Sequence, residues 1–366
     1  MMEVLLFFLG LVLLVVGAEA LVRGASRLAL SVGISPLVVG LTVVAFGTSA
    51  PELAVSLQSA ASGSADLALG NVVGSNIFNI LFILGLSALI VPLLVARQLV
   101  RQEVPVMIGI SLLLLALALD GRVGRGDGVL LLGLLLAYTA FLVYQSRRQN
   151  QGGDAGLADG VLASSPGWES RPAAQLLLIA AGLGSLVLGA TWLVNAAVSF
   201  AQYLGVSELV IGLTIVAAGT SLPEVATSII AALRGQRDIA VGNVVGSNVF
   251  NILGVLGLSS MVSPAGIAVA PSVLAFDLPV MIAVALACLP IFFTGNLIAR
   301  WEGALFFGLY AAYMAYVLLA AQQHDALRPY SAIMMTAVLP LVALTLVVVA
   351  WREWQGRRIH QGSPSR

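Results

Sequence analysis

Apolar stretches of about twenty residues, the length that spans a hydrocarbon core of about 30 Å as a helix, recur from one end of this 366-residue chain to the other. Hydrophobic residues make up 60% of the positions and charged ones 9%, against roughly 25% charged in a typical soluble domain. The solvent for such a fold is lipid. In lipid every backbone polar group must be satisfied within the protein, which confines spans of this length to helices. The candidate spans are Val4–Leu21, Pro36–Ala61, Leu67–Val91, Val104–Leu119, Gly128–Tyr144, Ala173–Val194, Leu209–Leu233, Ile239–Val262, Val273–Phe293, Trp301–Ala320 and Ile333–Ala350. Ala18-Glu19-Ala20 resembles a signal-peptidase site, but the first segment lacks a positive leader and recurs internally near Ala173–Asn195, so it reads as a membrane helix.

The arrangement of these spans follows from a duplication. Gly33–Ser87 aligns with Gly205–Ser259 without a gap, with 35 of 55 positions identical. Weaker echoes match Glu103 with Asp277, each two residues before a proline, and also Asp127-Gly128 with Glu302-Gly303 and Ala137-Tyr138 with Ala312-Tyr313. The expected organisation is a first five-helix repeat over 1–146, a polar linker over 147–172, a second five-helix repeat over 173–322 and an additional helix over 330–351. Five is odd. The second copy must therefore enter the bilayer from the opposite side, giving an all-α polytopic protein with two inverted-topology repeats.

Charge adds orientation. The formal net charge is zero, which gives no basic surface for nucleic acid, and no protein partner is implied beyond the bilayer. Counting connections alternately, three arginines (Arg122, Arg125, Arg328) fall on the side of the N-terminus and fourteen on the other. The positive-inside rule then puts the N-terminus outside and the 147–172 linker and C-terminus in the cytoplasm; the membrane expected is a cell's inner (plasma) membrane. The single cysteine, Cys288, excludes an intrachain disulfide and a thiolate cluster.

Identity between the copies concentrates in two clusters: Gly47-Thr48-Ser49-Ala50-Pro51-Glu52 with Gly219-Thr220-Ser221-Leu222-Pro223-Glu224, and Gly70–Asn79 with Gly242–Asn251. Glu52 falls about fifteen residues into its span, past the middle of the membrane, and Glu224 matches it. An ionised carboxylate at that depth costs roughly 3 kcal/mol or more and needs a partner. These helices offer no lysine, arginine or histidine at that depth, so the counter-charge is read as a bound cation. Thr48/Glu52, Ser75/Asn79, Thr220/Glu224 and Ser247/Asn251 are i,i+4 pairs that each share a helix face. Gly47 to Pro51 and its copy are helix breakers, offering the carbonyls of Ala45 and Ala217 as further ligands. An all-oxygen set suits Ca²⁺ better than Zn²⁺ or Cu, and better than Mg²⁺, which sheds water reluctantly. One such motif alone could be a helix kink with a hydrogen-bonded acid, and the glycines could serve close packing. Two copies at one depth favour an ion site. Asn71, Asn76, Asn243 and Asn248 fit helix-to-helix hydrogen bonds and an ion path equally well.

The two clusters resemble the α-repeats of the Ca²⁺/cation antiporter superfamily, in its bacterial and archaeal Na⁺/Ca²⁺ exchanger branch. That resemblance implies Glu52, Glu224, Thr48 and Thr220 as Ca²⁺ ligands. It implies Na⁺ sites drawn from Ala45, Ser49, Glu52, Ser75, Asn79, Ala217, Thr220, Ser221, Glu224, Ser247 and Asn251. It further implies long, oblique first and sixth helices that slide against a core, no cofactor, and exchange of three Na⁺ for one Ca²⁺. Some relatives, including K⁺-dependent exchangers, carry Asp at the position of Asn251, a departure that argues against K⁺ cotransport. The alternatives are a Ca²⁺/H⁺ antiporter and, from another class, a cation channel. An enzyme is not expected, since no second polar cluster accompanies the paired acids.

Overall fold

The computed structural model describes residues 2–151, 171–206 and 208–361; the greater part of the expected linker, and Trp168 within it, lie outside the described residues. The chain is helical nearly throughout. The first half comprises α1 (Met2–Val32), α2 (Pro36–Thr48), α3 (Ala50–Ala61), α4 (Ala65–Ile90), α5 (Leu99–Ala118) and α6 (Arg125–Gln151). The second comprises α7 (Pro172–Tyr203), α8 (residues 208–219), α9 (Leu222–Leu233), α10 (Arg237–Val262), α11 (Val273–Phe293) and α12 (Arg300–Ala321), followed by α13 (Leu327–Val349). Among the described residues nine helices are long and apolar enough to cross a membrane, or ten with α2 and α3 taken as one span bent by 47°. Eleven spans are expected from the sequence; the one outside this count is Leu209–Leu233, which breaks between α8 and α9, where Leu222–Leu233 is a shorter apolar helix of 12 residues.

Several spans are longer than the apolar pattern suggested. α1 runs 31 residues and α7 runs 32, about 46–48 Å at 1.5 Å per residue, so each must lie oblique in a hydrocarbon layer of about 30 Å. α6 continues to Gln151, five residues into the expected 147–172 linker.

Four two-residue strands fix the relation of the halves. β1 (Leu93–Leu94) leaves α4, β2 (Arg122–Val123) precedes α6, β3 (Ile267–Ala268) leaves α10 and β4 (Leu297–Ile298) precedes α12. By sequence position β1 corresponds to β3 and β2 to β4, yet β1 pairs with β4 and β2 with β3, both antiparallel. The end at which the first copy leaves α4 is thus the end at which the second copy enters α12. The second half lies upside down on the first.

Lipid tails provide no hydrophobic drive between helices, so close packing has to hold them, and small residues permit it. α1 and α7 meet along glycines: a Cβ at Gly17 would lie 2.8 Å from Gly182 O, one at Gly182 2.6 Å from Leu21 N, and one at Gly10 2.8 Å from Gly189 O. Midway along α1, Glu19 accepts from Arg23 Nε (2.6 Å) and from Arg234 Nε (2.8 Å), tying α1 to the end of α9. The core of the molecule is α4 and α10. The apolar window of α10 is buried along its whole length and that of α4 over most of it.

The additional helix α13 lies at the periphery, against α11. Between it, α11 and α12 is an apolar cavity of about 520 Å³ lined by Phe276, Val284, Tyr316, Met334 and Leu346 among others.

Gly182→Leu should lower the thermal midpoint of the detergent-solubilised protein through overpacking of about 1–3 kcal/mol. Gly184→Leu, on the same helix with open space around it, should leave the midpoint near that of the parent in the same melt.

Candidate ion-binding site

The break expected from Gly47 to Pro51 lies at Ser49, whose φ/ψ of −80°/10° ends α2, and at Ser221, with −91°/9°, in the second copy. Each proline then falls in the first turn of the following helix, where a missing N–H costs nothing. Glu52 and Glu224 share that first turn, and the helix N-terminus favours an anion there. Upstream, the helices widen into π-turns at Gly40–Val44 and Gly212–Val216, ending directly before Ala45 and Ala217. α4 and α10 widen likewise at Asn79–Leu84 and Asn251–Leu256, beginning at the candidate ligands themselves. Single π-turns gather at functional sites because they reorient side chains and release carbonyls.

The carboxylates are bound across the two halves. Ser49 Oγ donates to Glu224 Oε1 at 2.8 Å and Ser221 Oγ donates to Glu52 Oε1 at 2.6 Å, with Ser75 Oγ 3.4 Å from Ser221 Oγ. Each glutamate is thus held by a serine of the other repeat. Both are 1% exposed, and among the described residues neither has an arginine partner. The second oxygen of each carboxylate, Oε2, is buried and without a hydrogen-bond partner, as are Asn79 Oδ1, Asn251 Oδ1 and Ser247 Oγ. Four of these five atoms can only accept, the amide oxygens of Asn79 and Asn251 always and those of Glu52 and Glu224 when ionised. Buried acceptors left bare in low dielectric are costly, and a cation is the partner that would serve all of them. No group of three or more His, Cys, Asp or Glu occurs among the described residues, so any further ligands are neutral oxygens.

The remaining candidates lie around this set. Thr48 Oγ1 lies 3.4 Å from Ala45 O and 3.1 Å from Asn243 Oδ1, and Thr220 Oγ1 lies 3.4 Å from Ala217 O. The carbonyl of Ala45 also accepts from Ser49 N–H at 3.0 Å, so the break leaves it one lone pair rather than a free group. Asn71, Asn76, Asn243 and Asn248, balanced between two roles in the sequence, bond helix to helix here: Asn71 to Ser56 (2.9 Å), Asn243 to Ser228 (3.0 Å), and Asn76 and Asn248 to each other's main chain.

The two copies differ in exposure. Ala45 and Thr48 are fully buried, while Ala217 is exposed and Thr220 half-buried. Gly242 and Gly246 of α10 are covered by α2, where an added Cβ would lie 3.0 Å from Leu37 O and 2.5 Å from Leu41 O. Gly70 and Gly74, their equivalents on α4, have nothing within 4 Å. The site is thus covered on the α2 side and less covered on the α8 side.

From the sequence, Glu103 and Asp277 are matched only by position, each two residues before a proline. Glu103 is fully buried, accepting from Tyr138 (2.6 Å), Gln98 (2.8 Å) and Gln102 (2.8 Å); Asp277 accepts from Tyr313 at 3.2 Å. The signal was present: the Glu103/Asp277 and Tyr138/Tyr313 echoes are pairs in contact.

Ser49→Ala and Ser221→Ala each strip a buried carboxylate oxygen of its donor, at a cost of about 1–3 kcal/mol. Thermal melts should place Ser49→Ala and Glu224→Gln in one coupled pair and Ser221→Ala and Glu52→Gln in another, each double variant losing less than the sum of its singles.

The model of the sodium/calcium exchanger protein family matches residues 2–144 and 174–319 of this chain. Inner membrane protein YrbG of Escherichia coli is 40% identical over 261 residues, covering 71% of this chain and 79% of that protein. Sodium/calcium exchanger MaX1 of Methanosarcina acetivorans is 33% identical over 340 residues, covering 85% and 97%. Among solved structures, the sodium-calcium exchanger NCX_Mj soaked with zero Na⁺ and Ca²⁺ superposes with a TM-score of 0.73 at 32% identity, over 86% of this chain and 98% of the other. The chain is a member of the sodium/calcium exchanger family.

Proposed function

We propose that this chain exchanges Na⁺ for Ca²⁺ by alternating access to one site built on Glu52 and Glu224. The observation that carries the reading is the pair of buried carboxylates, each with one oxygen held by a serine of the opposite repeat and the other bare. One Ca²⁺ neutralises the two charges. Thr48 and Thr220 stand beside them as further Ca²⁺ ligands. Na⁺ ions, each with one charge, use the same oxygens with those of Ala45, Ser49, Ser75, Asn79, Ala217, Thr220, Ser221, Ser247 and Asn251. Competition for shared ligands couples the two fluxes. Exchange of three Na⁺ for one Ca²⁺ moves one net charge, about 2.3 kcal/mol per 100 mV, so the transport is electrogenic.

The domains of this reading are the repeats 1–146 and 173–322, with the additional helix outside the transport unit. The N-terminus faces out, as the arginine distribution supports, and the less covered side of the site is then the outer one. α8, which leaves Ala217 exposed, lines the outer half of its span, and α2, which covers Gly242 and Gly246, lines the inner half of its own. Passage to the inward-facing state exchanges the two packings. α8 closes on Gly70 and Gly74 while α2 leaves α10, and α1 and α7 slide over the core along with them.

The deciding experiment is ⁴⁵Ca²⁺ uptake into proteoliposomes loaded with Na⁺ and diluted into Na⁺-free buffer. Uptake should require internal Na⁺, should rise with an inside-positive potential of the sign that drives Na⁺ out, and should fall to background in Glu52→Gln and Glu224→Gln. Uptake driven by a pH gradient without Na⁺ would point instead to Ca²⁺/H⁺ exchange, and unitary currents without a counter-ion to a channel. In right-side-out vesicles, Ala217→Cys should react with a water-soluble maleimide added outside while Ala45→Cys is protected; the reverse pattern would overturn the assigned sidedness.

A further inference from the structure

Asn76 and Asn248 face each other at the centre of the molecule, one on α4 and one on α10, both 1% exposed. Asn76 Nδ2 donates to the main-chain oxygen of Asn248 at 3.2 Å and lies 3.7 Å from Met281 Sδ. Asn248 Nδ2 donates to the main-chain oxygen of Asn76 at 3.3 Å and lies 3.6 Å from Met107 Sδ. A carbonyl oxygen and a thioether sulfur accept and cannot donate. Neither amide can therefore be turned over without losing both contacts, and its nitrogen end is fixed. The oxygen ends are fixed in consequence: Asn76 Oδ1 accepts from Asn251 Nδ2 at 3.1 Å and Asn248 Oδ1 accepts from Asn79 Nδ2 at 2.9 Å.

The step that matters follows from these two bonds. An asparagine amide presents an oxygen on one side and an N–H₂ on the other, and only the oxygen can bind a cation. With Nδ2 of Asn79 and Asn251 held by the cross, their Oδ1 atoms are left on the other side of the amide, buried and without a hydrogen-bond partner, as are the bare oxygens of Glu52 and Glu224. We propose that Asn76 and Asn248 are positioning residues that lock the amides of Asn79 and Asn251 with oxygen toward the transported ion, each asparagine orienting the ligand of the opposite repeat. The proposal rests on the reading of Asn79 and Asn251 as ligands. It gives a reason for the doubled Gly-Ser-Asn-x-Phe-Asn: with a neutral amide in the ligand position, the first asparagine of one copy has to set the direction of the last asparagine of the other.

The test is a double-mutant cycle read as the half-saturating internal Na⁺ concentration of Na⁺-driven ⁴⁵Ca²⁺ uptake. Asn76→Leu should raise that concentration about tenfold, the order expected for losing one buried orienting hydrogen bond, with the maximal rate within about twofold of the parent by the same arithmetic. Asn251→Asp places oxygens at both ends of the ligand, so orientation is no longer needed. In that background Asn76→Leu should change half-saturation by less than about twofold. An equal loss in both backgrounds would show that Asn76 acts only by packing and would overturn the proposal. Where Asn76→Leu yields no folded protein, Asn76→Ala takes its place in the cycle. Asn251→Leu separates the two ideas: if it leaves half-saturation unchanged, the ligand assignment fails and the proposal with it. If Asn251→Leu weakens Na⁺ and Asn76→Leu does not, the orientation proposal alone is overturned.

Discussion

Two carboxylates in an apolar bundle, without an arginine to answer them, set the terms for everything around them. Placing one such charge in a membrane costs several kcal/mol unless it is partnered. The partners come from across the molecule, Ser221 for Glu52 and Ser49 for Glu224. That reciprocity requires the two breaks to face each other, which in turn requires the second half to lie inverted on the first. The β1–β4 and β2–β3 ribbons mark that inversion at both ends of the bundle. The π-turns before Ala45 and Ala217 and at Asn79 and Asn251 belong to the same requirement, since a regular α-helix would give those positions another direction.

Much of this was legible in the sequence because a membrane simplifies the code. The apolar stretches gave the helices, the gap-free repeat gave the two halves, and a glutamate deep in an apolar segment, repeated 172 residues later, marked the site. Three aspects escaped. Helix ends did, because a tilted helix such as α1 extends beyond its most apolar stretch and carries Glu19, Arg23 and Arg27 within its own length. The π-turns did, because nothing in Gly-Leu-Thr-Val-Val distinguishes a π-turn from an α-turn; tertiary packing decides. The division of labour among asparagines did as well: Asn76 and Asn79 carry the same side chain three residues apart, and only the partner helix separates the residue that orients from the one with a bare oxygen.

Near-identical sequences in α2 and α8 adopt different packings here, one covering glycines of α10 and the other leaving the matching glycines of α4 uncovered. Identical residues cannot by themselves favour one arrangement strongly over its mirror. On the alternating-access reading, the energy gap between the two packings is set by the positions at which the copies differ, such as Phe46 against Ala218 and Pro36 against Glu208. A small gap is what a carrier needs, because each state must be populated for ions to cross.

The serine that each half lends to the other also bears on ancestry. A polypeptide of half this length would carry a membrane-buried glutamate whose donor lies on a different molecule inserted the other way up. Such a half-gene could have worked only as an antiparallel pair, with its product inserting in both directions in equal amounts. Joining two copies in one reading frame removes that demand on stoichiometry. It also frees each copy to acquire the arginine bias that fixes its own direction, and lets the two ends of the permeation path diverge independently.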